Sequence, residues 1–377
     1  MASIEKQSND RWRVRYRTPE GRQRSKTFVR KVDATHFMTA TEHSKLIGSY
    51  VDASAGRITF KSYAERWRSS QVHRPGTASQ VESHLRLHMY PRIGDRPIGA
   101  IRRSEIQSLV KSLSTGEGED RPALAPNTVQ TIYAWLATIF RSAVEDRLIT
   151  HSPCQKINLP EVEESRVVPL PVTTVEALAD AVPDRYRALI VLGAGTGIRI
   201  SEALGLTLDR VDFLKKTVTI DRQLLRVGGA EPRFGPVKDR KNRPRTIPLP
   251  AVVVDELAAH LSKWPVGLNG LVFTNKLGTP IRRTTFSDIW RAAAGPLGIA
   301  TGDGFHVLRH FYASLLIRYG ESVKIVQERL GHASAQITLD TYAHLWPDSE
   351  DSTRAAVDAV LGKSDVSDSC HEQGSVT

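Results

Sequence analysis

Cysteine is nearly absent from this 377-residue chain: Cys154 and Cys370 are the only two. Two such distant thiols build neither a disulfide framework nor a cysteine-based zinc module, and they fit a reducing compartment. Long apolar runs are missing as well. The longest, residues 188–195 continuing to Ile198, is too short to cross a bilayer, and the basic N-terminus lacks the apolar core of a signal peptide. A soluble cytoplasmic protein is expected. Acidic charge is the third deficit, with 41 Asp and Glu against 52 Lys and Arg and a formal net charge of +11. That balance favours a polyanion as partner, although charge alone does not separate DNA, RNA and an anionic membrane. With 40% hydrophobic and 25% charged residues, the chain has globular composition and the length for two or three domains.

The positive charge is concentrated at one end, where residues 1–31 hold ten basic and three acidic side chains. Arg11-Trp12-Arg13-Val14-Arg15-Tyr16-Arg17 alternates strictly. A strand there sends four guanidinium groups to one face and Trp12, Val14 and Tyr16 to the other. Pro19-Glu20-Gly21 supplies a turn, residues 23–29 with Arg24 read as the returning strand, and a helix follows over 32–47. Four like charges on one face repel unless an anion pairs them, which points to a DNA groove or its phosphates. A three-stranded β-sheet plus helix over residues 1–55 is therefore expected.

Residues 56–160 read as an all-α unit, with Phe60, Tyr63, Ala64 and Trp67 and later Val129, Ile132, Tyr133, Leu136, Ile139 and Phe140 at helical spacing. A basic turn over 88–96 and a Gly-, Glu- and Pro-rich loop over 114–126 interrupt it. Residues 161–171, flanked by Pro160, Pro169 and Pro171, read as a linker. From 172 to 362 the pattern predicts helices at 173–181, 185–192, 200–206, 252–262, 286–293, 307–318 and 323–330. Strands are predicted at 217–221, 246–249 and 271–274. Residues 348–377 hold seven acidic and two basic side chains; within them 355–361 forms a small apolar helix suited to docking on its own or a neighbouring subunit. Residues 363–377 are expected to be a disordered acidic tail. The fold class is multidomain α+β.

Several groups of residues carry chemical promise. Gly193, Gly195 and Gly197 suggest a nucleotide loop, but a dinucleotide fingerprint needs its third glycine where Ile198 stands. Arg199 and Glu202 follow, three positions apart at the start of a predicted helix. A cation at a helix N-terminus adds to a positive field, which is a poor place for a structural arginine and a good one for a phosphate. His306-Val307-Leu308-Arg309-His310 puts His306 and Arg309 on one helical face. His306 and His310 raise a metal site, but the Glu of H-E-x-x-H is missing and Arg309 stands between them. Leu330-Gly331-His332 and Asp340-Thr341-Tyr342 lie further on. Between the two groups, residues 234–249 read as a basic strand, turn and strand carrying Lys238, Arg240, Lys241, Arg243 and Arg245, in the manner of a hairpin facing nucleic acid.

The order Arg199, Lys238, His306, Arg309, His332, Tyr342 resembles the catalytic set of the tyrosine recombinases, or phage-type integrases. Thr196-Gly197-Ile198-Arg199-Ile200-Ser201-Glu202 and Leu330-Gly331-His332 match their two signature stretches. The resemblance runs over about residues 5–362. The head resembles the arm-binding domain of integrases that engage two kinds of DNA site, the α unit their core-binding domain, and the rest their mainly α catalytic domain with a small antiparallel sheet. The family commonly has Thr after the hairpin lysine and a tighter turn, whereas here Asp239 follows Lys238 and Pro244 lengthens the turn. Lys238 is therefore the choice, with Lys241 as the alternative.

The resemblance implies that Arg199 and Arg309 clamp the non-bridging oxygens of a phosphodiester, whose charge grows in the transition state. It implies hydrogen bonds from His306 and His332, a buttressing role for Glu202, and attack by Tyr342 to give a 3′-phosphotyrosyl link. Lys238 then protonates the leaving 5′-oxygen, and neither metal nor cofactor is needed. Tyr312 and Tyr319 read as core and Trp346 as packing. Arg11, Arg13, Arg15, Arg17, Arg24, Arg240, Lys241 and Arg243 are the expected DNA-binding residues. The implied partners are double-stranded DNA at core-type and arm-type sites, a homotetramer on synapsed DNA, a host DNA-bending protein and a directionality factor, with no membrane, at the nucleoid of a bacterium or phage-infected host. The implied function is site-specific recombination that integrates or excises a mobile element. The alternatives are a type IB topoisomerase and a non-catalytic DNA-binding regulator; the second DNA-binding module in the head favours recombination.

Overall fold

The computed structural model describes residues 2–19, 21–48, 50–52, 54–163, 166–225, 231–238, 243–346 and 350–361. The chain divides into two compact units, Met1–Glu164 and Ser165–Thr377.

The first unit begins with strands β1 (Ser3–Lys6), β2 (Trp12–Arg17) and β3 (Gln23–Phe28), an antiparallel sheet in the order β1-β2-β3. Helix α1 (Lys31–Leu46) packs against it. The alternation of β2 divides its faces as the sequence predicts: Val14 and Tyr16 are buried while Arg15 and Arg17 are exposed. Phe37 and Tyr50 meet the Tyr16 ring edge-on. Arg24 stands across from Tyr16, and directly opposed residues share a face. It therefore lies on the core side, donating to Asp52 Oδ2 and Ser54 Oγ at 2.9 Å each.

Helices α2 (Phe60–Ser70), α3 (Pro75–His84), α4 (Tyr90–Ile93), α5 (Arg103–Thr115) and α6 (Pro126–Glu145) complete this unit. Thr59 caps α2 by accepting from the Ser62 amide, so the helix starts where the apolar period does. Pro126 opens α6 at the position where its missing N–H costs nothing. The expected turn over 88–96 is different. Leu85–Met89 winds as a π-helix into α4 because Leu85, Met89 and Ile93, four apart, are all buried and keep the chain helical as far as Gly94.

The second unit holds α7 (Val172–Ala181), α8 (Asp184–Thr196), α9 (Ile200–Leu204), strands β4 (Val211–Asp212), β5 (Thr217–Ile220), β6 (Arg222–Leu225), β7 (Arg233–Pro236) and β8 (Arg245–Pro248), then α10 (Ala251–Lys263), α11 (Arg283–Ala294), α12 (His306–Arg318), α13 (Val323–Leu330), α14 (Ala335–Tyr342) and α15 (Glu350–Leu361). Helix α8 is apolar on nearly every side and packs against α7, α10 and α12, as a central helix must.

Three expectations fail here. Residues 234–249 are not one hairpin: β7 pairs with β6, Phe234 opposite Leu224, while β8 pairs with β5, Ile247 opposite Val218. The buried Val218, Ile220 and Ile247 draw β8 into the core sheet, a partnership set by burial rather than by chain proximity. Residues 271–274 form no strand, only isolated bridges from Leu271 to Thr207 and from Thr274 to Pro280; residues 271–274 are all buried, so packing rather than a strand ladder holds the run. Tyr319 is 83% exposed because it lies past the end of α12. On α15, Val357, Val360 and Leu361 are exposed. The expected tail, 363–377, lies outside the described residues. Among the described residues, no helix is long and apolar enough to cross a membrane.

Candidate active site

The site starts where α8 stops. Gly197 ends that helix in the left-handed region at φ +61°, and a Cβ there would fall 2.6 Å from Tyr312 Cδ1 and 2.9 Å from Leu330 Cδ2. Arg199 comes next as the N-cap of α9. Glu202, one turn on, accepts from the Arg199 amide at 3.1 Å and from Arg199 Nη1 at 3.0 Å. From β8, Arg245 donates to both oxygens of the same carboxylate at 3.2 and 2.5 Å. Burial alone pushes the Glu202 carboxyl up, but Arg245 and Arg199 hold it below the usual carboxylate range. One fully buried carboxylate thus fixes two guanidinium groups.

Arg309, in the first turn of α12, is 1% exposed. It donates to the Gly197 carbonyl at 2.9 Å and to the Leu330 carbonyl at 2.6 Å. Arg199 Nη2 reaches the next carbonyl, Gly331, at 3.3 Å. The two arginines of the sequence pattern therefore converge on the turn that ends α13. Gly331 holds that turn at φ +65°, where a Cβ would press on the Arg245 side chain at 3.0 Å. Burial, then Arg199 and Arg245, push Arg309 down to about 9, which leaves it charged at neutral pH. Three guanidinium groups here share the charge of Glu202, an imbalance that an incoming anion relieves.

His332 follows Gly331. Its Nδ1 lies 2.8 Å from Thr338 Oγ1, and its ring is parallel to that of Tyr342, 11° between planes. Tyr342 is in the last turn of α14, 1% exposed. Its hydroxyl is 2.8 Å from His310 Nδ1. Burial pushes the phenol up to about 12, against the pull of Arg309 and Arg199. His306 opens α12 edge-on to His310, ring centroids 4.8 Å apart. Desolvation, His310, Arg309, Arg199 and Lys238 push His306 down to about 4; desolvation, Arg309 and Arg199 push His332 to about 3. Both are neutral at neutral pH.

Arg199, Glu202, His306, Arg309, His332 and Tyr342 are thus one constellation. Lys238, exposed just past β7, is near enough for its charge to act on His306. Arg240 and Lys241 lie outside the described residues, and Arg243 is exposed. In the first unit, Arg15 faces Glu5 across the strands at 3.4 Å, Arg11 and Arg17 are exposed and Arg13 half-buried. Two members of the site were not predicted. Arg245 carries a readable signal: it precedes buried Ile247 by two on a strand, so it shares the core face and needs a carboxylate. His310 was read only against a metal site, and its neighbour Tyr342 comes from a distant segment.

Comparison with known proteins finds two family models that match the chain. Residues 170–348 match the Phage integrase family, and residues 60–159 match the Phage integrase central domain. The chain carries phage integrase family domains. These are the domains of tyrosine recombinases, and the enzyme is a site-specific DNA recombinase. Among its relatives, a tyrosine recombinase XerC-like protein of Caldanaerobacter subterraneus subsp. tengcongensis is 27% identical over 305 residues, 73% of this chain and 75% of that protein. A putative prophage phiRv2 integrase of Mycobacterium tuberculosis is 25% identical over 353 residues, 89% of each chain. The integrase also shares its fold with the Tn1549 transposon integrase in complex with a circular intermediate DNA, at TM-score 0.67 and 21% identity, covering 80% of this chain and 99% of that one. A lambda integrase tetramer bound to a Holliday junction is similar at TM-score 0.59 and 17% identity, covering 88% and 96%.

Proposed function

We propose that this integrase breaks and rejoins DNA with Tyr342 as nucleophile, integrating or excising a mobile element. The observation that carries the reading is the convergence of Arg199 and Arg309 on the adjacent Leu330 and Gly331 carbonyls, beside His332 and within the electrostatic reach of Tyr342. A phosphodiester placed there meets two planar forks, charged at neutral pH and aimed at its non-bridging oxygens. Preorganised charge of this kind lowers the barrier without reorganisation at the moment of reaction. His306 and His332 donate further hydrogen bonds. Tyr342 attacks phosphorus, and Lys238 protonates the departing 5′-oxygen. Because Tyr342 is buried, DNA opens this face before attack. The phosphotyrosyl bond retains the energy of the broken bond, so a 5′-hydroxyl of another duplex completes exchange.

Residues 1–55 serve as an arm-type DNA-binding domain, 56–160 as the core-binding domain and 172–362 as the catalytic domain. The exposed basic residues of β2 and the extra DNA-facing surface they provide support the first assignment. Four copies act on two synapsed duplexes. The lambda integrase tetramer on a Holliday junction supports that number, and the apolar residues Val357, Val360 and Leu361 of α15 supply a surface for the neighbouring copy. A DNA-bending host protein and a directionality factor complete the assembly. The test is an assay on paired duplexes captured by the protein: recombinant products are expected, whereas plasmid relaxation alone, or binding alone, contradicts the reading.

A further inference from the structure

The proposed chemistry leaves one proton without a destination, that of the attacking phenol. Tyr342 is 1% exposed in this structure, and a side chain rather than bulk water stands beside its hydroxyl. Among the described residues, its hydroxyl makes its hydrogen bond to His310 Nδ1, at 2.8 Å. The other two histidines are turned to different tasks. His332 lies parallel to the Tyr342 ring with its own Nδ1 on Thr338 Oγ1, and His306 contacts the face or edge of His310 rather than the phenol.

We propose that His310 is a catalytic residue of this recombinase, the base that takes the Tyr342 proton during strand cleavage and returns it during rejoining. The inference rests on Tyr342 being the nucleophile, as proposed above. In cleavage the Tyr342 O–H bond breaks, its electron pair forms the bond to phosphorus, and the proton passes to His310 Nδ1. The bond from phosphorus to the 5′-oxygen breaks, and that oxygen takes a proton from Lys238. In rejoining, an incoming 5′-hydroxyl attacks phosphorus and gives its proton to the now neutral Lys238 amine, the phosphotyrosyl bond breaks, and His310 gives its proton back to the phenolate. The tautomer that accepts at Nδ1 carries its hydrogen on Nε2. Burial and the Arg309 charge favour the neutral ring, so the base is held in the form that accepts a proton, and Arg199 and Arg309 favour the phenolate as it forms. The His306–His310 pair at i, i+4, which fits no metal motif, gains a division of labour: one ring faces phosphate, the other the nucleophile.

The test uses the full chain and duplexes enriched from a random pool by covalent capture on the wild-type protein. His310→Ala should slow covalent attachment by about 10²- to 10⁴-fold, the range for a lost general base. His310→Gln, which keeps a hydrogen-bond acceptor but no proton acceptor, should be as slow. Trifluorotyrosine introduced at position 342, whose phenol ionises without help near neutral pH, should restore attachment in the His310→Ala chain to within about tenfold of the same substitution in wild type. Retained thermal unfolding and DNA binding show that the variants fold. Full activity of His310→Gln, or failure of trifluorotyrosine to rescue a folded His310→Ala, overturns the inference. Failure of wild type to capture any duplex, or capture by Tyr342→Phe, overturns instead the reading on which it rests.

Discussion

Arg199 and Arg309 donate to neighbouring peptide carbonyls, Gly331 at 3.3 Å and Leu330 at 2.6 Å. Two side chains from separate helices are thereby spaced by a single peptide unit. The anchor is backbone, so it positions the cations without neutralising them, and Glu202 offsets only part of the charge of Arg199, Arg245 and Arg309. The carboxylate of Glu202 pairs with Arg199 and Arg245.

Removing that carboxylate charge should be costly. Glu202→Gln leaves Arg199, Arg245 and Arg309 together without a buried counter-charge, a loss on the order of 3 kcal/mol for a broken buried pair. Urea unfolding should show a lower midpoint at neutral pH. The Glu202 carboxyl is held below its ordinary value of 4.5, so its contribution is full above that pH and fades as pH falls through the folded value. The gap between wild type and variant should narrow in acid; a constant gap contradicts the pairing.

Gly197 is a tight point of the scaffold beside the site. Gly197→Ala combines a left-handed backbone with contacts under 3 Å to Tyr312 and Leu330, and strain plus overpacking together cost on the order of 3 kcal/mol. Because the Gly197 carbonyl also seats Arg309, DNA attachment should fall more steeply than stability. Equal thermal midpoints for variant and wild type refute this.

The histidines make a prediction about protons. His306 and His332 are pushed down to about 4 and about 3, so below pH 6.5 the unfolded chain binds protons that the folded one does not. Stability should therefore decline as pH falls from 6.5 towards about 4, and His332→Gln should flatten that decline. A bound phosphate reverses the preference and favours charged rings. Calorimetry in buffers of different ionisation heat near pH 6 should show proton uptake on DNA binding, while proton release counts against the site as drawn.

In the head, Arg15 and Arg17 are exposed but Arg24 is held by Asp52 and Ser54. Arg17→Ala should lower the slope of log affinity against log salt by about one, with stability unchanged. Arg24→Ala should lower the thermal midpoint of the head and leave the slope nearly as it was. The opposite pattern means that the faces are assigned the wrong way round.

Much of this arrangement was legible in the chain itself because it is local. Alternation along 11–17 sorts the faces of β2, the spacing of Phe60, Tyr63, Ala64 and Trp67 makes α2, and Arg199 with Glu202 is a one-turn relationship. What was not legible is long-range. Nothing near β7 and β8 says that they join different sheets, since Val218 and Leu224 decide it from earlier in the chain. The fate of Tyr319 turns on where α12 stops, and the partnership of His310 with Tyr342 on how α14 lies against α12. The core-facing side of Arg245, by contrast, is written in its alternation with Ile247.

The identity of the residue that carries DNA is the most direct test of the site. Covalently captured protein is digested with protease and nuclease, and the modified peptide is sequenced by mass spectrometry. A 3′-phosphonucleotide on Tyr342 is the predicted result. The same adduct on Tyr312, Tyr319 or any other residue contradicts it.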